Sequence, residues 1–241
     1  MIHIISYGDD KYKRSKERIH AEAVATGWFD TVSVYGPDDL DDEFKSKFKN
    51  ILSYKRGGGY WIWKLYIINK KISEIDEDDI LIYLDAGCKI NPEGKTRFNE
   101  YIDMLNDSDL GIISFELDKI EKEWTTKETF DHLDVKHDSK IANTNQLVGT
   151  VRIMKKNFNL MRMLDLEMKT LHANPLLFTD CYNKNQKSPF KDHRHDQSIF
   201  SVIRKMSNTI LLKDETWFGG RTGGFGTGKS NKYPFWATRQ K

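Results

Sequence analysis

Cysteine, proline and long apolar runs are all scarce in this 241-residue sequence. The two cysteines, Cys88 and Cys181, form neither a metal-binding spacing nor a disulfide framework, so we expect reduced thiols. Only five prolines are present and no serine- or proline-rich linker interrupts the chain, which favours a single domain over residues 1–241. No apolar run approaches the roughly 18 residues that a membrane-spanning helix needs.

Neither sign of charge dominates. The 38 lysines and arginines nearly balance the 36 aspartates and glutamates, whereas nucleic-acid-binding proteins usually carry a clear basic excess. We therefore expect no nucleic-acid partner. The N-terminus, MIHIISYGDD, lacks a basic region followed by a long apolar one, so we expect no signal peptide and a cytoplasmic protein. The oligomeric state has no signal in the sequence.

Short apolar runs alternate with segments of helical periodicity, most regularly in the first half of the chain. The alternation predicts an α/β fold with a mostly parallel sheet flanked by helices. Predicted strands cover residues 2–6, 31–35, 80–84, 109–117, 148–154 and 209–212, and predicted helices cover 11–26, 60–75, 155–172 and 196–206.

Asp85 directly follows the uninterrupted apolar run 80–84. It should therefore lie at the carboxyl end of a buried strand, the edge at which open α/β sheets bind ligands. A carboxylate there suits a divalent cation or a ribose hydroxyl. The alternative is an aspartate that merely opens the turn Asp85-Ala86-Gly87, since Asp and Gly are favoured turn residues.

Residues 56–64, RGGGYWIWK, combine three consecutive glycines with a cation at each end. Glycines let the backbone approach a ligand closely and expose amide donors, and Arg56 and Lys64 suit a phosphate. The alternative is a flexible loop before a helix, with Trp61 and Trp63 serving only in packing.

Residues 193–201, HRHDQSIFS, place Asp196 at the start of an apolar-striped helix. Asp196 is either a working carboxylate at the edge of a site or a helix N-cap. His193 and His195 form an H-x-H pair, but no nearby spacing supplies a third zinc ligand.

A glycine-rich tail contains residues 223–230, GGFGTGKS, which match the phosphate-binding pattern G-x-x-x-x-G-K-[ST]. That motif works only between a buried strand and a helix, and the 11 residues after Ser230 show no helical pattern, so we reject an ATPase or kinase. We predict instead a mobile tail that folds over an anionic ligand, with Lys229 meeting phosphate.

Together, IISYGDD, RGGGYWIWK, DILIYLDAGCKIN and RHDQSIFS resemble small glycosyltransferases of the GT-A fold, such as the chlorovirus and bacterial sugar transferases. The resemblance runs from Ile4 to about Ser201. It implies hexosyl transfer from a nucleotide-diphosphate sugar, with UDP expected, to a glycan or another hydroxyl acceptor. It also implies that residues 1–120 mainly bind the nucleotide and that 121–241 supply the acceptor side and the tail.

The resemblance assigns the nucleotide side residue by residue. The end of the first strand, Ser6-Tyr7-Gly8, lies against the base. The D-x-D motif falls on Asp85-Ala86-Gly87, so Asp85 matches the first carboxylate and implies a bound Mn²⁺ or Mg²⁺, while Gly87 stands where the second carboxylate usually is.

On the reacting side, the resemblance places Asp196 near the sugar carbon, with His195 and Gln197 toward the sugar or acceptor. Asp196 would act as a base if configuration inverts, or as nucleophile or stabiliser if it is retained. The charge that develops on the diphosphate needs cations, for which Arg56, Lys64 and Lys229 are the candidates.

Two other functions stay open. Gly87 is compatible with a non-catalytic nucleotide-sugar-binding protein. A sugar nucleotidyltransferase would have a related sheet, but residues 6–10 do not supply the glycine-rich signature loop that usually follows its first strand.

Overall fold

The structure is a computed structural model that describes residues 1–219 and 224–240. The strands are β1 (Ile2–Tyr7), β2 (Thr31–Tyr35), β3 (Ile80–Leu84), β4 (Lys89–Ile90), β5 (Ile112–Ile120), β6 (Asn145–Leu147), β7 (Val151–Lys155), β8 (Ile210–Lys213) and β9 (Phe235–Trp236). The helices are α1 (Lys13–Thr26), α2 (Asp42–Lys47), α3 (Lys49–Leu52), α4 (Trp63–Glu74), α5 (Lys95–Asn106), α6 (Glu121–Trp124), α7 (Lys127–His132), α8 (Lys140–Asn143), α9 (Phe158–Ala173) and α10 (Asp196–Ser207).

One mixed sheet organises the described residues, in the order β2-β1-β3-β7-β5-β6, with β8 also pairing with β5. β1 runs parallel to β2 and β3, and β5 runs parallel to β8. β7 lies antiparallel to both β3 and β5. The predicted α/β fold is confirmed, with parallel pairing among β1, β2 and β3 and between β5 and β8.

Helices cover both faces of the sheet, and β3 shows why its sequence lacks a polar break. Leu81 and Tyr83 pack into one core, with α4, α9 and α10. Ile80, Ile82 and Leu84 pack into the other, with α1 and α5. Every residue of β3 is therefore buried, as expected for a central strand covered on both faces.

The described part of the tail is packed against the rest of the fold. β9 pairs antiparallel with β4, and Phe235 and Trp236 are both buried. The mobility predicted for the glycine-rich residues 219–228 stays a prediction, whereas Phe235 and Trp236, further along the chain, are packed. Residues 220–223, which include the first glycine of the GGFGTGKS match, lie outside the described residues. The remainder of that match contains a single 3-10 turn, Gly228–Ser230, instead of a helix.

Cys88 is buried, Cys181 is exposed and both are free thiols, as predicted. Within the ranges 1–219 and 224–240, no helix is long and apolar enough to cross a membrane.

Candidate active site

A cleft of about 1030 Å³ opens at the carboxyl ends of β1 and β3. Eight of the residues singled out from the sequence line it: Tyr7, Gly8, Arg56, Lys64, Asp85, His195, Asp196 and Gln197. Two do not: Ser6 is buried within β1, and Lys229 is exposed on the Gly228–Ser230 turn. The fold thus brings together segments that are far apart in sequence, and the role of each remains a prediction.

Lys64 lies at the centre of the site. Its side chain is 3% exposed, and Nζ lies 3.2 Å from Oδ1 of Asp85 and 3.0 Å from Oδ2 of Asp196. It also donates to the carbonyl of Gly149 at 3.3 Å. Burial would lower the pKa of Lys64, but the two carboxylates outweigh burial and raise it, so the ammonium stays charged. The nearest charged partners of Lys64 are thus the two predicted functional carboxylates.

Asp85 occupies a turn that is fixed from several sides. Its backbone N–H donates to Thr150 at 3.0 Å, and its carboxylate accepts a hydrogen bond from Tyr83. The guanidinium of Arg18, from α1, donates to the carbonyls of Ala86 and Cys88 at 2.9 and 2.8 Å. Arg18 of α1 therefore holds the turn at the sheet edge, and Tyr83 holds the Asp85 carboxylate.

Asp196 is the first residue of α10, and the N-cap position belongs to His195, whose side chain makes no capping bond. The Asp196 carboxylate instead faces Lys64 and, at 3.6 Å, Arg152. The N-cap alternative is therefore not realised. Gln197 accepts from the N–H of Gly149 at 3.2 Å, which ties the start of α10 to the central strands.

Behind Asp196 lies a fully buried charge pair. Arg152 contacts Glu167 at 3.4 Å, and both side chains are inaccessible to solvent. Burial raises the pKa of Glu167 to about 7, with Arg152 opposing the rise and Asp196 adding to it. Charged groups thus extend from the cleft into the core, where no sequence pattern pointed to them.

Asp180, which sequence reasoning missed, contacts two residues of the cleft wall, Arg56 and His195. It accepts hydrogen bonds from Arg56 at 2.7 Å, from His195 Nε2 at 2.9 Å and from Tyr60 at 3.0 Å. Burial alone would raise the pKa of Asp180, but the hydrogen bonds from His195, Arg56 and Tyr60 outweigh burial and keep that pKa below its ordinary value. Asp180 lies in an irregular loop, so neither periodicity nor spacing marked it.

The three glycines after Arg56 allow the backbone to form a left-handed turn. Residues 57–61 all have positive φ, between 53° and 95°, a left-handed turn that glycine adopts without steric cost. The N–H groups of Gly58 and Gly59 donate to the carbonyls of Lys55 and Tyr54 at 3.4 and 2.9 Å. Two of the three glycine amides that were expected to be free for a ligand are therefore used locally. The turn also explains why α4 begins at Trp63, not at residue 60.

An aromatic pair forms the wall beside this turn. The rings of Tyr7 and Trp63 stack with centroids 3.8 Å apart and an interplanar angle of 15°. Trp63 Nε1 donates to the carbonyl of Gly57 at 2.8 Å. Trp63 therefore covers one face of the Tyr7 ring. A nucleotide base at the position predicted for residues 6–8 could contact only the uncovered part of that ring and Gly8.

The residues around Asp85 do not fit a divalent metal site. Position 87 carries no side chain, and Asp85 already faces the ammonium of Lys64. In the described part of the chain, no three His, Cys, Asp or Glu side chains converge as a metal site requires. We therefore derive no chemical step through Mn²⁺ or Mg²⁺.

No protein-family model matches the chain, and no curated protein matches it in sequence. Solved structures do. A glycosyltransferase involved in glycosylation of the major capsid of PBCV-1 aligns over 98% of this chain and 91% of its own, with a TM-score of 0.53 and 12% identity. The chain has a GT-A-like fold. Mouse xyloside xylosyltransferase 1 aligns over 90% of this chain and 87% of its own, with a TM-score of 0.49 and 12% identity, too low to add to the argument.

Proposed function

We propose that the chain is a glycosyltransferase that moves a sugar from a nucleotide-diphosphate donor, with UDP expected, to a hydroxyl acceptor on a glycan or another molecule. The observation that carries the proposal is the convergence of Asp85 and Asp196 on Lys64 at the carboxyl edge of the sheet. The GT-A-like fold supports the same activity, because in open α/β sheets this edge is the ligand-binding edge.

The size and lining of the cleft suit a donor of this class. About 1030 Å³ is at the upper end of typical ligand pockets and is large enough for a nucleotide sugar. Its walls include the Tyr7–Trp63 stack and the charged group around Asp196. We place the base beside Tyr7 and Gly8, and the sugar beside Asp196, His195 and Gln197.

The reaction breaks the bond between the anomeric carbon and a diphosphate oxygen, which keeps the electron pair. The acceptor hydroxyl oxygen bonds to that carbon, and its proton passes to a base. We assign Asp196 to the reacting carbon, as a base if configuration inverts or as nucleophile or stabiliser if it is retained. Lys64 holds both carboxylates in place, and the cationic side chains along the cleft stabilise the diphosphate.

The test uses a panel of UDP-, GDP- and dTDP-sugars, with hydrolysis and transfer both measured. Asp196→Asn should lower the transfer rate at saturating donor by about 10²–10⁴-fold while donor binding persists, because removing a positioned acid–base group typically costs that much. Asp165→Asn is a matched control, since Asp165 is an exposed carboxylate paired with Lys169 on the surface of α9. This control should keep the wild-type rate.

Two results would contradict the proposal. If wild-type protein binds a nucleotide sugar but neither hydrolyses nor transfers it with any acceptor tested, the chain is a binding protein. If Asp196→Asn transfers at the rate of Asp165→Asn, then Asp196 does not carry the chemistry.

A further inference from the structure

The last described residues, 235–240, cross the turn that carries Asp85, and we call them the C-terminal strap. Thr238 Oγ1 and the N–H of Gln240 both donate to the carbonyl of Gly87, at 2.8 and 3.0 Å. Ser15, from α1, donates to the carbonyl of Gln240 at 3.2 Å. With β9 paired to β4, the strap is anchored at both ends and in its middle.

The strap explains why position 87 is glycine. A Cβ atom built there would lie 3.2 Å from Arg239 Cα and 3.2 Å from the carbonyl oxygen of Gln240. Gly87 has no positive φ, so steric space, not backbone conformation, limits this position. The strap backbone therefore fills the space that an acidic side chain at position 87 would need.

The strap also brings a cation to the cleft wall. Arg239 lines the cleft together with Arg194, which precedes the histidine and aspartate at the start of α10. Each guanidinium lies over a tryptophan ring, Arg239 at 5.1 Å from the centroid of Trp217 and Arg194 at 4.9 Å from that of Trp124. Among the described residues, no carboxylate lies within 4 Å of either guanidinium.

The two guanidiniums line the same cleft, and the charge of Arg239 acts on Arg194. Burial and the positive charge of Arg239 both lower the pKa of Arg194, and Asp192 opposes them only in part. Like charges held together without a paired carboxylate form a natural site for an anion, because an anion placed between them relieves their repulsion. Arginine is also well suited to phosphate oxygens, which its planar fork of donors matches.

We propose that Arg239, delivered by the C-terminal strap, and Arg194 bind the diphosphate of the donor, so that these two side chains supply the positive charge that a D-x-D-bound metal supplies elsewhere. The inference rests on the proposed function, since it takes the donor to be a nucleotide-diphosphate sugar. The inference explains two features together: the glycine at position 87 where a second carboxylate usually stands, and the path of the strap across that glycine.

The test measures dissociation constants for UDP, GDP, dTDP and the matching nucleosides, each in EDTA and in Mn²⁺. Wild-type protein should bind its preferred nucleoside diphosphate equally well in both solutions. Arg239→Gln and Arg194→Gln should each weaken that binding about tenfold or more, the range expected for losing a charge-assisted hydrogen bond, and should barely change nucleoside binding. Arg162→Gln is the control, because Arg162, like Arg239, is exposed and lies over an aromatic ring, that of Phe158 on α9.

A variant at Gly87 tests the position of the strap without changing the charge of Arg239. Gly87→Ala adds no charge but pushes against the strap backbone, and it should weaken diphosphate binding in the same direction as Arg239→Gln. The inference is overturned if both arginine variants bind as Arg162→Gln does, or if EDTA abolishes wild-type binding. Either result would leave the glycosyltransferase proposal standing. Failure of wild-type protein to bind any nucleoside diphosphate would instead refute the proposed function.

Discussion

Replacing Lys64 with methionine removes the cation that the two candidate functional carboxylates share. Methionine has a similar length and retains packing, so the change isolates the charge. In the variant, Asp196, whose side chain is 6% exposed, loses its partner at 3.0 Å and keeps only Arg152 at 3.6 Å. Asp85, whose side chain is 29% exposed, remains partly solvated.

The loss of folding stability in Lys64→Met follows from the difference in burial between Asp196 and Asp85. Breaking a buried ion pair by removing one partner typically costs about 3–5 kcal/mol, because a charge is left buried without compensation. Asp196 is responsible for most of this cost, since solvent screens Asp85. In a chain of this size each 1 kcal/mol lowers Tm by roughly 2–4 °C, so we expect Tm to fall by about 6–20 °C.

The assay is urea unfolding together with thermal unfolding at neutral pH. Lys127→Met is the control, because it removes the cation of a solvent-exposed pair with Asp131, and exposed pairs contribute little. The double variant Lys64→Met with Asp196→Asn should be more stable than Lys64→Met alone, because it also removes the stranded carboxylate. If Lys64→Met lowers Tm no more than Lys127→Met, or if the double variant is no more stable than Lys64→Met, the reasoning fails.

Two further predictions concern the core and the glycine turn. Burial raises the pKa of Glu167 from 4.5 to about 7, so its contribution to stability is fully present below about pH 4.5 and is lost as pH rises through about 7. Glu167→Gln should therefore gain stability relative to wild type between pH 5 and pH 8 in urea unfolding, and a difference that does not change with pH would contradict this assignment. Gly58 and Gly59 both have positive φ, but a Cβ at Gly59 would lie 2.7 Å from Leu52 Cα, whereas one at Gly58 would meet its nearest atom at 3.6 Å. Gly59→Ala should thus lower Tm clearly more than Gly58→Ala, and equal losses would show that backbone strain alone decides.

Features with a local signal were predictable from the sequence. The run 80–84 has no polar break because β3 is buried on both faces, and Asp85, which follows it, therefore lies at the carboxyl edge of the sheet, beside the cleft. The helix predicted over 11–26 ends at Thr26 as expected, because Gly27 adopts the left-handed conformation that terminates α1. Asp196 starts α10 as predicted, because a strong apolar stripe defines that helix. These predictions depend only on neighbours within a few residues.

The chemistry of the site depends on contacts between distant segments, and only the tertiary structure decided it. Folding places Lys64 between Asp85 and Asp196, where two carboxylates offset the cost of burying an ammonium, and its predicted contact with phosphate stays a prediction. Asp180 has no pattern around it and gains its partners only when its loop meets Arg56 and His195. The two-residue strand β9 is too short for periodicity to reveal, yet it anchors the strap over Gly87. A sequence carries the side chains of such sites, but their pairing is set by long-range packing, which leaves no local periodicity.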